Sequence, residues 1–237
     1  MIKSSLVRKI ADTETVGNHL AQKGMIYTYL NPVSYITALK DKELFSSMDG
    51  IFADGSLLVM ALRLAYGLRV TRRSFDMTSM APQVLRYANE HASTICVVAT
   101  KQEALNKALR VFSNHYPNIV WLGCRNGYFA NDEEMEREAS RIATDNPDFL
   151  IVGMGIGKQE QFMLMCKNAG YKGIGFTCGG FIHQTAEKDG QESYYPKWMD
   201  KLNLRFLYRM YKEPHTRQRY LKAAFVFPYK FIVERFS

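Results

Sequence analysis

Six short apolar runs recur along the first 180 residues: Met25–Leu30, Gly50–Ala53, Thr94–Ala99, Asn118–Gly123, Asp148–Gly153 and Tyr171–Phe176. Each has the length of a strand, and most are rich in the β-branched and aromatic residues that fit a buried, pleated surface. The stretches between them follow a different rhythm. In Lys101–His115 and Asp132–Thr144 the apolar positions return every three or four residues, as on one face of a helix. Thr144–Asp145–Asn146–Pro147 then stops the second helix. Asp76, Thr78 and Ser79 supply a capping pattern ahead of a further helix at 80–91. From residue 93 to 180 strand and helix alternate without a break. This predicts an α/β fold, a mostly parallel sheet with helices on both faces. Such sheets bind ligands beyond the carboxyl ends of their strands, so chemistry is expected where strands end.

Composition narrows the class. Of 237 residues, 47% are apolar and 23% charged, the balance of a folded globular chain. Cys96, Cys124, Cys166 and Cys178 form no CxxC pair and do not cluster with histidine. They read as reduced core thiols of a cytoplasmic protein, not as disulfides or a zinc site. The opening MIKSSLVRKIADTETVG has no apolar signal core, and no run is long enough to span a bilayer, so any membrane contact is expected to be peripheral.

Charge changes the picture more. Residues 1–194 carry 21 Lys+Arg against 20 Asp+Glu, whereas residues 195–237 carry 10 against 3, so nearly all of the net +8 lies in the tail. We read 1–194 as the core domain and 195–237 as a basic, aromatic appendage, helical over 197–223 with Leu204, Leu207, Tyr208 and Tyr211 on one face. Aromatic residues crowd around Pro228 in 225–236. A basic tail of this kind implies an anionic partner: phosphate groups, nucleic acid or an acidic membrane surface. The near-neutral body and the absence of nucleic-acid-binding signatures argue against a nucleic acid partner. Self-association is left open.

Several segments that follow strands carry candidate chemistry. Asp54 comes directly after Gly50–Ala53, with Gly55 opening a helix; its carboxylate is either a helix cap or a general base at the mouth of the sheet. GMGIGKQEQFM (153–163) sets three glycines between a strand and a helix that begins near Lys158, a place where backbone N–H groups can meet phosphate. Its spacing is neither GxGxxG, which disfavours a dinucleotide-dependent oxidoreductase, nor a Walker loop, which needs Ser or Thr where Gln159 stands. Gly127–Tyr128 offers a tight turn with an aromatic ring that either packs on the loop or stacks on a base. Gly179–Gly180 follows the last strand, with His183 as a contact candidate, and Asp76 either caps its helix or binds sugar hydroxyls. No Asp-x-Asp, HExxH or Ser-His-Asp pattern occurs, so neither a metal nor a cofactor is implied.

Taken in order, these segments resemble the WecG/TagA/CpsF family of bacterial glycosyltransferases. The ordered set runs through Asn31–Pro32, Ala53–Asp54–Gly55, Asn126–Gly127–Tyr128–Phe129, Gly153-x-Gly-x-Gly-Lys-Gln-Glu160 and Gly179–Gly180. It continues with Tyr195–Pro196-x-Trp198, Leu207–Tyr208–Arg209, Glu213–Pro214 and Arg219–Tyr220. The resemblance implies a Rossmann-like core and an inverting, metal-independent enzyme. Its donor would be a UDP-sugar and its acceptor an undecaprenyl-diphosphate-linked sugar, in teichoic-acid, capsule or exopolysaccharide synthesis at the inner face of the cytoplasmic membrane. It assigns Asp54 as the catalytic base; on the matching motifs Asn31, Gly127, Tyr128, Lys158, Gln159, Glu160, Gly179 and Gly180 are candidate substrate contacts, Glu160 alternatively complementing the helix dipole. The family's substrate-binding threonine lies two residues before the asparagine; here Thr28 lies three before it and Tyr29 takes that place. His183 replaces an aspartate, Gly157 a proline, and Ala99–Thr100 the glycines common after the third strand. These departures imply a subgroup with altered donor or acceptor recognition. The acceptor-side and membrane-side arginines fall on Arg209 and Arg219, with Arg217 shifted by one.

Overall fold

The computed structural model describes residues 2–187, 211 and 217–236. All six expected strands are present as β1 (Ile26–Leu30), β2 (Gly50–Ala53), β3 (Thr94–Ala99), β4 (Val120–Trp121), β5 (Phe149–Gly153) and β6 (Ile174–Thr177). They form one all-parallel sheet in the order β2-β1-β6-β5-β3-β4. The helices are α1 (Ser5–Glu14), α2 (Pro32–Ala38), α3 (Lys42–Ser46), α4 (Ser56–Tyr66) and α5 (Met80–Glu90). They continue with α6 (Gln102–His115), α7 (Asp132–Asp145), α8 (Lys158–Asn168), α9 (Phe181–Ala186) and α10 (Arg217–Phe236). The expected α/β architecture is thus observed. β4 is shorter than its apolar run because it is an edge strand, with Val120 half exposed.

The continuous apolar strands are explained by burial on both faces. Ile95, Val97, Phe149 and Ile151 point to one side, where α5, α6 and α9 supply Val84, Leu85, Leu105, Phe112 and Phe181. Cys96, Val98, Leu150 and Val152 alternate to the other side, against Met135 and Ile142 of α7 and Phe162 and Met163 of α8. All four cysteines are free thiols, and burial pushes those of Cys166 and Cys178 up to about 12.

A third cluster covers the β1–β2 edge. Leu30, Ile51 and Ala53 meet Leu6 and Ile10 of α1, Tyr35 of α2, Leu58 and Leu62 of α4, and Phe227 and Phe231 of α10. The helix α1 is locally encoded: Ser4 caps it, its hydroxyl accepting from the Val7 N–H at 3.3 Å. Thr13 then ties it to β2, its hydroxyl accepting from the Ile51 N–H at 2.9 Å.

The boundary drawn between residues 194 and 195 lies outside the described residues, as do Leu204, Leu207 and Tyr208. Residues 217–223 are helical as expected. The helix does not end there but runs through Pro228 to Phe236. An interior proline forfeits a hydrogen bond and costs about 3 kcal/mol. Full burial of two phenyl rings, each stabilising by about 1.5–3 kcal/mol, offsets that cost. The Phe231 centroid lies 5.3 Å from that of Tyr35, 5.7 Å from Tyr66 and 5.2 Å from Phe227, and Lys42 pairs with Glu234 at 2.6 Å. Phe231→Ala is therefore expected to destabilise the full-length chain by about 3–5 kcal/mol in chemical denaturation. A loss under 1 kcal/mol would mean that this helix is not part of the core.

Candidate functional site

A cleft of about 1110 Å³ opens beyond the carboxyl ends of the strands. The chain leaves β3 toward β4 on one side and leaves β5 toward β6 on the other. This reversal separates the connecting segments and leaves a crevice where such sheets hold ligands. Thr100, Gly127 and the Gly153–Ile156 turn line it there, joined by the ends of β1, β2 and β6 and by Leu221, Ala223 and Ala224 of α10.

Asp54 is on this surface. It continues from β2, its N–H donating to the Leu30 carbonyl at 2.8 Å. Gly55, at φ +85°, holds the N-cap position of α4 directly after it. The Asp54 carboxylate stands 3.8 Å from the Arg72 guanidinium, with both side chains about one quarter exposed (29% and 26%). Arg72 also donates to the Ser74 hydroxyl at 3.2 Å, and Ser74 donates to Asp76 at 2.8 Å. Asp76 turns its own loop, accepting from the Thr78 N–H at 2.8 Å, and the cap position of α5 falls instead to Ser79. Asp54, Arg72, Ser74 and Asp76 all line the cleft. Arg72 is its one Lys or Arg among the described residues. Sequence reasoning missed it: in the pair Arg72–Arg73 nothing local says which faces in. Arg73 instead pairs with Glu14 at 3.4 Å and lies over the Phe52 ring.

The opposite wall is built around Gly127. A Cβ there would stand 3.0 Å from Met154 Cγ and 3.3 Å from Ala99 Cα, so glycine lets this turn close on the β3–β5 junction without displacing either neighbour. Asn126 fixes the turn by accepting from the Tyr128 N–H at 2.9 Å, leaving the Tyr128 ring 64% exposed on the cleft. Thr100 lies beside it at φ +47°, a left-handed conformation uncommon for a β-branched residue. His183 of α9 stands 3.5 Å from the Thr100 hydroxyl and 3.2 Å from Glu187. Asn31, Gly179 and Gly180 line the cleft as well; Asn31 caps α2 by accepting from the Val33 and Ser34 N–H groups at 2.9 and 3.0 Å.

Three of the expected contacts are elsewhere. Glu160 is fully buried beneath the cleft, accepting from the Thr28 hydroxyl at 2.7 Å, the Gln159 amide at 2.9 Å and the Gly157 N–H at 2.6 Å. Thr28, itself fully buried, is engaged there and with Thr177 at 2.9 Å, and does not line the cleft. Lys158 is exposed and also not on the lining. Gln159 does reach the cleft, accepting from the Gly179 N–H at 3.2 Å. The Gly157 N–H, at the start of α8, is therefore occupied by a carboxylate. Burial raises the Glu160 pKa, opposed by its hydrogen bonds. With the folded value above the unfolded one, this group favours folding below its ordinary pKa and loses that contribution as pH rises through the folded value. Among the described residues, no three His, Cys, Asp or Glu side chains are grouped to hold a metal.

The family model described as Glycosyl transferase WecG/TagA/CpsF family matches residues 6–237. The chain belongs to this family. It is a glycosyltransferase. Among characterised relatives, a Shigella boydii protein is named UDP-Gal:alpha-D-GlcNAc-diphosphoundecaprenol beta-1,4-galactosyltransferase; it is 31% identical over 212 residues, covering 90% of this chain and 86% of its own. A Bacillus subtilis (strain 168) relative is named N-acetylglucosaminyldiphosphoundecaprenol N-acetyl-beta-D-mannosaminyltransferase, 28% identical over 209 residues, 86% of this chain and 78% of its own. Of the arginines that the family resemblance singles out, Arg209 lies outside the described residues. Arg217 and Arg219 fall in the first turn of α10, with Arg217 exposed.

The buried carboxylate of this WecG/TagA/CpsF glycosyltransferase yields a stability prediction. Glu160→Ala removes the acceptor of three donors, an expected loss of about 2–3 kcal/mol. For a chain of this size the melting temperature should fall by roughly 5–10 °C. An unchanged melting curve would show that this carboxylate does not hold the turn.

Proposed function

We propose that the protein transfers a hexose from a UDP-sugar to an undecaprenyl-diphosphate-linked sugar, with inversion and without a metal ion, at the inner face of the cytoplasmic membrane. The observation that supports this reading is the Asp54 carboxylate, which lines the cleft beyond the carboxyl ends of the strands and stands beside Arg72 there. A general base needs a carboxylate within reach of the proton it takes. In the proposed reaction an acceptor hydroxyl attacks the anomeric carbon of the donor. The new C–O bond forms as the bond to the UDP oxygen breaks, the hydroxyl proton passes to Asp54, and UDP leaves with the bonding pair. The departing diphosphate needs countercharge, and Arg72 supplies it from within the cleft. The sequence has no Asp-x-Asp pair to recruit a divalent ion to that task. Tyr128, exposed across the cleft, is suited to stack on the uracil base. The two named relatives share an N-acetylglucosaminyl-diphosphoundecaprenol acceptor and differ in the sugar transferred, which supports that acceptor here.

The surface around the cleft supports delivery of a lipid-linked acceptor. The outer face of α10 exposes Leu221, Phe225, Tyr229, Ile232 and Phe236, between 55% and 81% exposed and spaced four, four, three and four residues apart. Such spacing makes one stripe along a helix. The neighbouring α4 exposes Leu57, Met60 and Leu64 in the same rhythm. Leu57 and Leu221 belong both to these stripes and to the cleft wall, so the apolar surface begins at the mouth of the site. Arg63, Lys222 and Arg235 are exposed on the same two helices. Apolar stripes edged with basic residues suit shallow insertion into an anionic leaflet. Among the described residues, no helix is long and apolar enough to cross a membrane.

In an assay with UDP-galactose and other UDP-hexoses and a short-chain lipid-diphosphate N-acetylglucosamine, Asp54→Asn should lower turnover by about 10²–10⁴-fold with the fold intact, and the wild type should stay active in EDTA. Wild-type turnover by the Asn variant would remove the base, and loss in EDTA restored by magnesium or manganese would remove the metal-free mechanism.

Sedimentation with phosphatidylglycerol vesicles tests the membrane face. Replacing Phe225 and Tyr229 together with serine should weaken binding by about 10-fold or more, and added salt should weaken it further, with no change in melting temperature. Equal binding by wild type and variant would remove this stripe from the interface.

A further inference from the structure

The loop that carries Tyr128 owes its shape to a residue outside the cleft. Of residues 122–131, which join β4 to α7, Gly127 and Tyr128 line the cleft. Arg125 does not, and its side chain is 22% exposed. Its backbone extends the sheet beside β3, the N–H donating to the Val97 carbonyl at 2.9 Å and the carbonyl accepting from the Ala99 N–H at 3.2 Å. Its guanidinium turns back onto the loop. Nε donates to the Asn126 carbonyl at 3.1 Å, and Nη2 donates to the Tyr128 carbonyl at 2.9 Å. Nη2 also meets Glu134 of α7 at 3.0 Å, and Nη1 stands 3.9 Å from Glu138. The guanidinium carbon lies 4.1 Å from the Phe129 ring centroid, and Phe129 packs in turn on Phe162 of α8 at 5.3 Å. Glu134 accepts from the Ala130 N–H at 2.6 Å, which closes the loop onto the helix. That N–H, and then the guanidinium, hold the Glu134 carboxyl below its ordinary value, so the pair is charged at neutral pH.

One planar fork therefore ties two loop carbonyls, a ring and a helix together, a set that a compact ammonium cannot reach at once. Exposed loops ordinarily move, and ordering one on binding costs affinity. Here the Tyr128 backbone is held in advance while its ring stays 64% exposed. We infer that Arg125 is a positioning residue for nucleotide recognition: it fixes the loop so that the Tyr128 ring meets the base of a nucleoside diphosphate, and so sets donor affinity without touching the donor. This rests on the reading of Tyr128 as the wall on which the base stacks.

The test is titration calorimetry with UDP on the full-length wild type, Arg125→Met, Arg125→Lys, Tyr128→Ala and each Arg125 variant combined with Tyr128→Ala. Tyr128→Ala should bind UDP about 10-fold more weakly, the loss of one stacked base. Arg125→Met should bind it about 5-fold or more weakly, and Arg125→Lys nearly so, since charge alone does not rebuild the fork. In the Tyr128→Ala background either Arg125 change should cost under about 2-fold further, because its effect runs through the ring. In steady-state transfer from UDP-galactose, the donor KM of the Arg125 variants should rise by the factor seen in binding, with kcat and the acceptor KM unchanged. Should the Met variant fail to fold, the Lys variant, which keeps the charge facing Glu134, decides the matter. Wild-type UDP affinity in a folded Arg125 variant would overturn the inference. So would additive losses in the combined variants, or an acceptor KM that rises as much as the donor's. Wild-type affinity in Tyr128→Ala would remove the stacking, and the inference with it, while glycosyl transfer stands. Absence of UDP binding by the wild type would instead overturn the UDP-donor reading itself.

Discussion

The cleft depends on a buried carboxylate. Glu160 gathers the Thr28 hydroxyl from β1, the Gln159 side chain and the backbone of the glycine turn before α8, with Thr177 of β6 joined through Thr28. Gln159 extends the same knot to the Gly179 turn. Three strand–helix junctions are thereby held at fixed separation under the site. A carboxylate is costly to bury, and three donors that meet this one offset the cost. Both Glu160 and Thr28 are candidate substrate contacts in the sequence. In the structure both are fully buried beneath the cleft.

That knot also shapes the electrostatics of the cleft. The start of α8 offers less to phosphate than its glycines imply, since the Gly157 N–H is bound by Glu160. Positive charge comes instead from Arg72, in a loop anchored where the Arg73 N–H meets the Ala53 carbonyl at 3.0 Å. One wall of the site therefore alternates in charge, Asp54 and Asp76 on either side of a guanidinium. In the proposed reaction such a wall serves both partial reactions, with a carboxylate for the attacking hydroxyl and a cation for the leaving diphosphate.

The last helix carries apolar residues on both its inner and its outer side. Ala223, Phe227 and Phe231 face the core, while Phe225, Tyr229 and Phe236 face out. A helix apolar on both sides is ordinarily enclosed. Here the outer stripe has no cover among the described residues, and it begins where α10 forms the cleft wall. Packing and exposure on one helix link the position of a surface stripe to the shape of the site.

Much of the fold was legible because it is local. A run such as Thr94–Ala99 can be buried only as a strand, and the rhythm of Lys101–His115 only as a helix on its face, so the parallel sheet followed from alternation alone. Asn31, Asp54, Asp76, Gly127, Tyr128, Gln159, Gly179, Gly180 and His183 were legible for a related reason. All but Asp76, which lies between α4 and α5, follow strands, and the ends of parallel strands converge, so the cleft gathers all nine. What sequence could not settle were questions of facing and of partners across the sheet. Thr28 against Tyr29, and Arg72 against Arg73, are choices between adjacent side chains that point to opposite sides. They are decided by Glu160, 132 positions after Thr28, and by Glu14, 59 before Arg73. The path of α10 through Pro228 is likewise fixed by a pocket between α2 and α4 that exists only once the chain is folded. Sequence by itself determined the periodic elements and the end of the sheet where chemistry gathers, because both follow from spacing along the chain. Tertiary structure decided which side chain faces the cleft and which is buried beneath it, because that depends on contacts between residues far apart in sequence.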